Sequence, residues 1–254
     1  MPPTARATLD PARLAGWRAS WTSVMAGFVP GMPRLEAVIT ATVDALRPGP
    51  PARIMDVGGG PGVLAERLSA QWPDAHVTLV DIDPVLLALA RGALPGSVAV
   101  IDADLTSPGW AAGTFDLITA VMTVHYLGPR EIRAFYREAR RALAPGGVLV
   151  VADLMPDAGL PSVMDALDPA AGEAAAELAW AQWWGTLAET PALHDLLTAR
   201  TEIFRRRPPS GFVAESSWHL DAAREAGFGE TGVLWREGRH AALAARAAAT
   251  GGGR

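Results

Sequence analysis

Ile54-Met55-Asp56-Val57-Gly58-Gly59-Gly60-Pro61-Gly62-Val63-Leu64 decides the fold. Ile54 to Val57 is a short, mostly apolar run of the length expected for a buried strand. Gly58, Gly60 and Gly62 then let the backbone bend sharply and approach a ligand closely, because side chains there would clash. Val63 to Gln71 has helical spacing, and the first turn of such a helix presents amides without internal partners. Strand, glycine bend and helix in this order form the first half of a β-α-β unit.

Outward from this stretch the chain alternates. Val77 to Asp81 reads as a second strand and Pro84 to Arg91 as a helix. Val98 to Ile101 and Phe115 to Met122 read as strands three and four. A helix from about Arg130 to Leu143 and a Pro145-Gly146-Gly147 turn lead into strand five, Val148 to Ala152. This alternation predicts a parallel sheet with helices on both faces. Thr231 to Arg236, a turn at Glu237-Gly238, and His240 to Ala245 read as a β-hairpin. The expected fold is therefore a seven-stranded, Rossmann-like α/β sheet, mostly parallel with an antiparallel hairpin strand, plus a helical cap.

The expected organisation has five segments. Residues 1–50 form an N-terminal helical cap segment, with helices at Leu14 to Ala26 and Leu35 to Leu46 broken by Pro30, Gly31 and Pro33. Residues 51–154 form the core. Residues 155–214 are a helical insertion, with helices at Glu173 to Glu189 and Pro191 to Arg206 and a short one at Ser162 to Leu167. Residues 215–246 complete the core with a helix, Ser217 to Ala226, and the hairpin. The AAATGGGR composition of 247–254 and the start, Met1 to Ala7, read as frayed ends.

Composition narrows the chemistry. Half of the residues are hydrophobic and the formal net charge is -5, with basic residues scattered. That fits a folded globular protein without a nucleic-acid surface. There is no cysteine, hence no disulfide, thiolate nucleophile or cysteine-held zinc. Lysine and asparagine are also absent, which removes Schiff-base chemistry and the P-loop lysine. Alanine, glycine, proline and arginine dominate, as a GC-rich genome would produce. Neither a leader peptide nor a membrane span is legible, so a cytoplasmic protein is expected.

The glycine bend admits three ligand classes. A P-loop fails for want of lysine. A dinucleotide fingerprint fails from Gly58, where Val63 holds the third position, but a looser form fits from Gly60, Gly62 and Ala65. The acids beyond favour the third class, S-adenosyl-L-methionine. Asp81 closes strand two before Ile82, where a carboxylate can accept both hydroxyls of a ribose. Asp104 follows strand three and can bond an adenine amino group while Leu105 packs on the ring.

With these motifs in order, Arg53 to Val151 resembles the class I S-adenosylmethionine-dependent methyltransferase family, in its small-molecule branch. Asp56-Val57-Gly58-Gly59-Gly60-Pro61-Gly62 resembles the family's acidic, glycine-rich motif. Asp81 and Asp104 match its ribose and adenine acids, and Asp56 its loop-orienting acid. Phe115-Asp116-Leu117-Ile118 resembles its fourth strand and Leu143-Ala144-Pro145-Gly146-Gly147 its turn before strand five. The resemblance implies that Asp56, Gly58, Gly60, Gly62, Asp81, Ile82, Asp104, Leu105 and Val121 contact the cofactor.

The resemblance also implies methyl transfer to a small-molecule acceptor, on oxygen or nitrogen; the GC-rich composition points, by association, to natural-product metabolism as a setting. Alignment of the acceptor is the larger catalytic term, since proximity and orientation supply roughly 7–11 kcal/mol. A general base adds roughly 3–5 kcal/mol. His125 is the candidate base, just past strand four, with Tyr126 beside it as a second catalytic candidate. Trp180, Trp183, Trp184 and Leu187 share one helix face; that stripe either docks the insertion or, at Trp184, walls an acceptor pocket. Trp17, Trp21, Phe28 and Met32 are candidates for the opposite wall. Arg200 is a candidate for pairing with an acceptor carboxylate. The five histidines, His76, His125, His194, His219 and His240, are dispersed, so no metal site is expected.

Three alternatives remain open at this point. One is a cyclase or regulatory relative that binds the cofactor without methyl transfer. Another is a nicotinamide-dependent oxidoreductase, disfavoured by Pro61 and the terminal hairpin. The third concerns assembly, where both monomer and homodimer stay open.

Overall fold

The computed structural model describes residues 9–29, 31–157, 159–167 and 170–249. The expected frayed start, Pro30 and most of the 247–254 tail lie outside the described residues. Asp10 caps α1 (Pro11–Phe28), its side chain accepting from Ala12 N, and α2 (Met32–Leu46) follows. The core then runs β1 (Arg53–Val57), α3 (Val63–Gln71), β2 (His76–Asp81), α4 (Pro84–Ala93), β3 (Ala99–Asp102), β4 (Phe115–Val121), α5 (Pro129–Ala142) and β5 (Leu143–Leu154). The insertion contributes α6 (Pro161–Leu167), α7 (Ala170–Ala188) and α8 (His194–Arg206). Next come α9 (Ser216–Glu225), β6 (Glu230–Glu237) and β7 (His240–Arg246).

One seven-stranded sheet has the order β3-β2-β1-β4-β5-β7-β6. β1 pairs in parallel with both β2 and β4, so the chain reverses its direction of winding there. In open α/β sheets ligands bind beyond the carboxyl ends of the strands at such a reversal. β7 lies antiparallel between β5 and β6.

Two of the differences from the sequence-based bounds bear on the sheet itself. β5 begins at Leu143, which already pairs with Phe115, before the Pro-Gly-Gly segment. Gly146 has φ +74, a left-handed conformation that lets the extra residues bulge without ending the ladder. The hairpin turn is Gly238-Arg239, not Glu237-Gly238, because Glu237 still pairs with His240. Gly238 supplies the positive φ of +55 that a two-residue hairpin turn requires.

Helices cover both sheet faces. Phe135 and Tyr136 of α5 and Ala222 and Ala223 of α9 pack on one. Leu35 and Ile39 of α2 and Leu64 and Leu68 of α3 pack on the other. The two N-terminal helices thus have different neighbours. While α2 lies on the sheet, α1 joins the insertion over α4, through Leu14, Trp17, Val24, Leu86, Leu89, Trp183 and Leu187. Trp183 Nε1 donates to Trp17 O (3.1 Å) and Ser20 Oγ (3.1 Å), which accounts for half of the tryptophan stripe as docking. Among the described residues no helix is long and apolar enough to cross a membrane.

Candidate active site

The glycine bend is shaped by what surrounds it. Gly58 N and Gly59 N donate to Val80 O, fastening the bend to the end of β2. Gly58, Gly60 and Gly62 have φ of +64, +55 and +82, which non-glycine residues rarely adopt. A Cβ on Gly58 would stand 2.3 Å from Thr123 Oγ1, so the loop after β4 lies directly against the bend. Thr123 Oγ1 in turn donates to Val57 O (3.1 Å). Met122, just before it, has φ +52, the one left-handed non-glycine residue described.

Asp56 is buried beneath the bend. Thr119 Oγ1 donates to its Oδ1 (2.8 Å), while Oδ2 has no partner. Burial pushes its pKa up to about 7, and the neighbouring Asp81 adds to this. Asp81 accepts from Gly60 N (2.8 Å) on one oxygen and Asp83 N (2.8 Å) on the other. Burial raises Asp81 to about 6, with the two amides acting against it. A carboxylate oxygen has two acceptor sites, so each still has one to offer.

The loop after β4 converges on a residue that sequence reasoning missed. Asp153, the last residue but one of β5, is almost fully buried. Its Oδ2 accepts from the backbone of Thr123 (3.0 Å), Val124 (2.8 Å) and His125 (3.2 Å). Its Oδ1 accepts from Leu154 N (2.8 Å) and meets His125 Nδ1 at 2.8 Å. Burial works to raise the Asp153 pKa, but His125 and the amides outweigh it and hold it below the ordinary value. With Nδ1–H directed at Asp153, Nε2 of neutral His125 is left as the proton acceptor. The signal for Asp153 was its position one residue beyond the expected end of strand five, where open α/β sheets carry their sites. Thr123 gave no comparable signal.

Other candidate residues fall into two groups. Gly60, Ile82, Val121, His125 and Tyr126 gather at the carboxyl ends of β1, β2 and β4, and Tyr126 stacks on His125 with centroids 4.4 Å apart. Trp21 lies over the bend, its Cζ2 3.3 Å from where a Cβ of Gly60 would be. Phe28 and Met32 are partly buried against the cluster that includes Val121 and Met122, and Phe28 also meets Trp180 edge-on at 5.9 Å. Trp184 and Arg200 lie together in the insertion, the guanidinium 3.8 Å from the ring centroid.

Trp17, by contrast, is spent on docking, buried and accepting from Trp183. Asp104 is engaged by Thr106 and by Arg207 Nη2 at 2.7 Å, and Leu105 packs against the α5-side core. His219 is buried with Nδ1 3.1 Å from Tyr136 Oη, and burial lowers its pKa to about 4. No cluster of three or more His, Asp or Glu suited to a metal occurs among the described residues.

The residues present fit S-adenosylmethionine. The bend is tight glycine backbone at positive φ, Asp81 has acceptor capacity for a diol, and Asp56 carries an unpartnered buried oxygen. A positively charged ligand nearby would also favour the ionised forms of both carboxyls.

Comparison with known proteins agrees. A profile of the methyltransferase domain matches residues 54–147. The chain is 41% identical over 106 residues to a malonyl-[acyl-carrier protein] O-methyltransferase of Geobacter sulfurreducens, covering 40% of this chain and 38% of that one. It is 42% identical over 107 residues to a trans-aconitate 2-methyltransferase of Methylobacterium nodulans, covering 42% and 39%. These matches span about two fifths of the relatives' length.

Solved structures share the fold over much more of the chain. An O-methyltransferase family protein from Burkholderia thailandensis superposes with a TM-score of 0.59 at 18% identity, over 96% of this chain and 64% of that one. Human N-acetylserotonin methyltransferase, solved with S-adenosylmethionine, gives 0.53 at 16% identity, over 85% and 55%. Residues 54–147 are thus similar to a methyltransferase domain, and the chain as a whole shares its fold with these solved structures.

Proposed function

We propose that this protein methylates an oxygen, or a nitrogen, of a small organic acceptor, with His125 as general base. The observation that carries the reading is the His125–Asp153 pair, 2.8 Å apart, on the loop that also touches the glycine bend. When bound, S-adenosylmethionine supplies a methyl group whose bond to sulfur breaks as a bond to the acceptor atom forms, leaving S-adenosylhomocysteine.

In this reading the chain's own residues do four things. Asp81 binds the ribose hydroxyls, and the glycine bend lets backbone approach the ligand without side-chain interference. Asp56 supplies negative charge beneath the bend. His125 Nε2 takes the acceptor's proton, and the imidazolium so formed is held by the Asp153 carboxylate. Trp21, Phe28 and Trp184, drawn from α1 and α7, exclude water above the bend, which strengthens each electrostatic contact inside.

An enclosing helical cap suits a discrete compound better than a macromolecule. Of the relatives' names, trans-aconitate is such a discrete compound, whereas the malonyl group is carried on a protein. The test has two stages. Calorimetry with S-adenosylhomocysteine should show binding that Asp81→Ala weakens about 10- to 150-fold, the loss expected for hydrogen bonds to a charged acceptor. Incubation with cofactor labelled in the methyl group and a panel of hydroxylated and aminated metabolites should transfer label, and His125→Gln should slow it about 10²- to 10⁴-fold. No heat from S-adenosylhomocysteine would overturn the reading at its root.

A further inference from the structure

Arg200 is held in a way that a surface arginine is not. Its Nε donates to Asp83 Oδ2 at 2.6 Å. Asp83 is itself buried, and its Oδ1 caps the start of α4 by accepting from Val85 N and Leu86 N. The guanidinium carbon sits 3.8 Å from the Trp184 ring centroid and 4.8 Å from that of Phe204. One edge is thus pinned and two aromatic rings stack on the group, while the terminal nitrogens make no hydrogen bond among the described residues. An arginine prepared like this gives up little conformational freedom when it binds a planar, two-oxygen anion.

A second observation points to a ligand. Trp184 Nε1 is buried with no acceptor. A buried donor without a partner is costly enough that native proteins seldom keep one. Here it belongs to the ring on which the guanidinium stacks, so two kinds of donor lie side by side with no acceptor. Both lead toward the proposed base. Phe204 meets Tyr126 with centroids 6.3 Å apart, and Tyr126 meets His125 at 4.4 Å.

We infer that Arg200 and Trp184 form the anion-reading end of the acceptor pocket, and that the acceptor is a planar aromatic carboxylic acid bearing a hydroxyl group. Its carboxylate meets the Arg200 terminal nitrogens and the Trp184 indole N–H. Its ring lies along Phe204 and Tyr126, and its hydroxyl reaches His125. This rests on the methyl-transfer reading of the same site.

Calorimetry on the full chain saturated with S-adenosylhomocysteine tests it, with 4-hydroxycinnamate and its neutral amide as probes. The carboxylate should bind at least about tenfold more tightly than the amide. Arg200→Gln should weaken the carboxylate by about 10- to 100-fold and leave the amide unchanged. Trp184→Phe keeps a ring under the guanidinium but removes the N–H, and should weaken the carboxylate several-fold.

Thermal unfolding of each variant, together with its S-adenosylhomocysteine binding, separates lost folding from lost recognition. Equal affinity for acid and amide would overturn the inference. So would an Arg200→Gln effect equal on both, which would make Arg200 a staple between α8 and α4. Absence of heat from either probe up to about 10 mM, a limit equivalent to less than about 3 kcal/mol of binding, would overturn it too when S-adenosylhomocysteine binding is intact. That last outcome would leave the methyl-transfer reading standing.

Discussion

Asp56→Asn should remove a pH dependence of stability that the wild-type chain carries. Asp56 lies buried with one oxygen unpartnered, and burial raises its pKa from 3.8 to about 7. In the unfolded chain it loses its proton near 3.8, while in the folded chain it keeps the proton until about 7. The folded state therefore binds one more proton across this window, so its stability falls as pH rises. The slope is about 1.4 kcal/mol per pH unit, or about 4 kcal/mol over the whole window. Stability linked to this group is fully present below the unfolded pKa and is gone once pH passes the folded one.

An asparagine cannot titrate, so its variant loses this component. Thr119 Oγ1 can still donate to the remaining carbonyl oxygen, but the new amide N–H₂ inherits an unpartnered position. The variant should therefore be equal to or slightly less stable than wild type at pH 5, by about 0–2 kcal/mol. By pH 8.5 it should have gained about 3 kcal/mol on wild type. Urea unfolding followed by tryptophan fluorescence, from pH 5 to 8.5 at fixed ionic strength, measures both curves. Asp81 titrates in the same window, with its pKa raised by burial to about 6, and the two carboxyls are coupled, so the difference between the curves reports Asp56 together with its coupling to Asp81. A difference that stays flat within about 0.5 kcal/mol, the usual scatter for independent sites, would show that Asp56 is not a strained buried acid.

Further predictions concern the loop after β4 and the cap. Asp153→Asn should convert neutral His125 from the form protonated at Nδ1 to a mixture, seen in histidine-selective nitrogen-15 spectra with Asp153 wild type as reference; identical spectra would remove Asp153 as the positioning residue. Gly58→Ala should cost at least about 2 kcal/mol in thermal or urea unfolding, from the left-handed backbone and from the clash of its Cβ with Thr123, and an alanine variant as stable as wild type would contradict the close loop contact. Trp183→Phe should lose the two bonds to α1 at a cost of about 1–2 kcal/mol, read as faster amide exchange confined to α1 and α7.

Local patterning accounts for why the core was legible. The start of α3 at Val63 follows from Gly62, whose positive φ no continuing strand could hold. The end of β2 at Asp81 follows from Asp83-Pro84, where a capping side chain and a fixed φ begin α4. Boundaries slipped where glycine allowed two solutions. Gly146 reads as the middle of a Pro-Gly-Gly turn, yet its freedom lets β5 bulge and keep pairing.

The tryptophan stripe shows the limit of periodicity. Its spacing places Trp183 and Trp184 together in the insertion, but not which of them faces α1 and which faces Arg200.

What the linear order of residues settled was the alternation of elements, the glycine bend, the placing of Asp81 at the end of β2 and the absence of lysine and cysteine chemistry, because each depends on neighbours within a few positions. Folding alone brought Asp153 under His125, Thr123 against Gly58 and Arg200 onto Asp83. These partners lie 28, 65 and 117 positions apart in the chain, and no local periodicity or motif encodes such pairings. They arise because parallel strands must all end on one side of the sheet, so loops remote in sequence are forced into a single crevice.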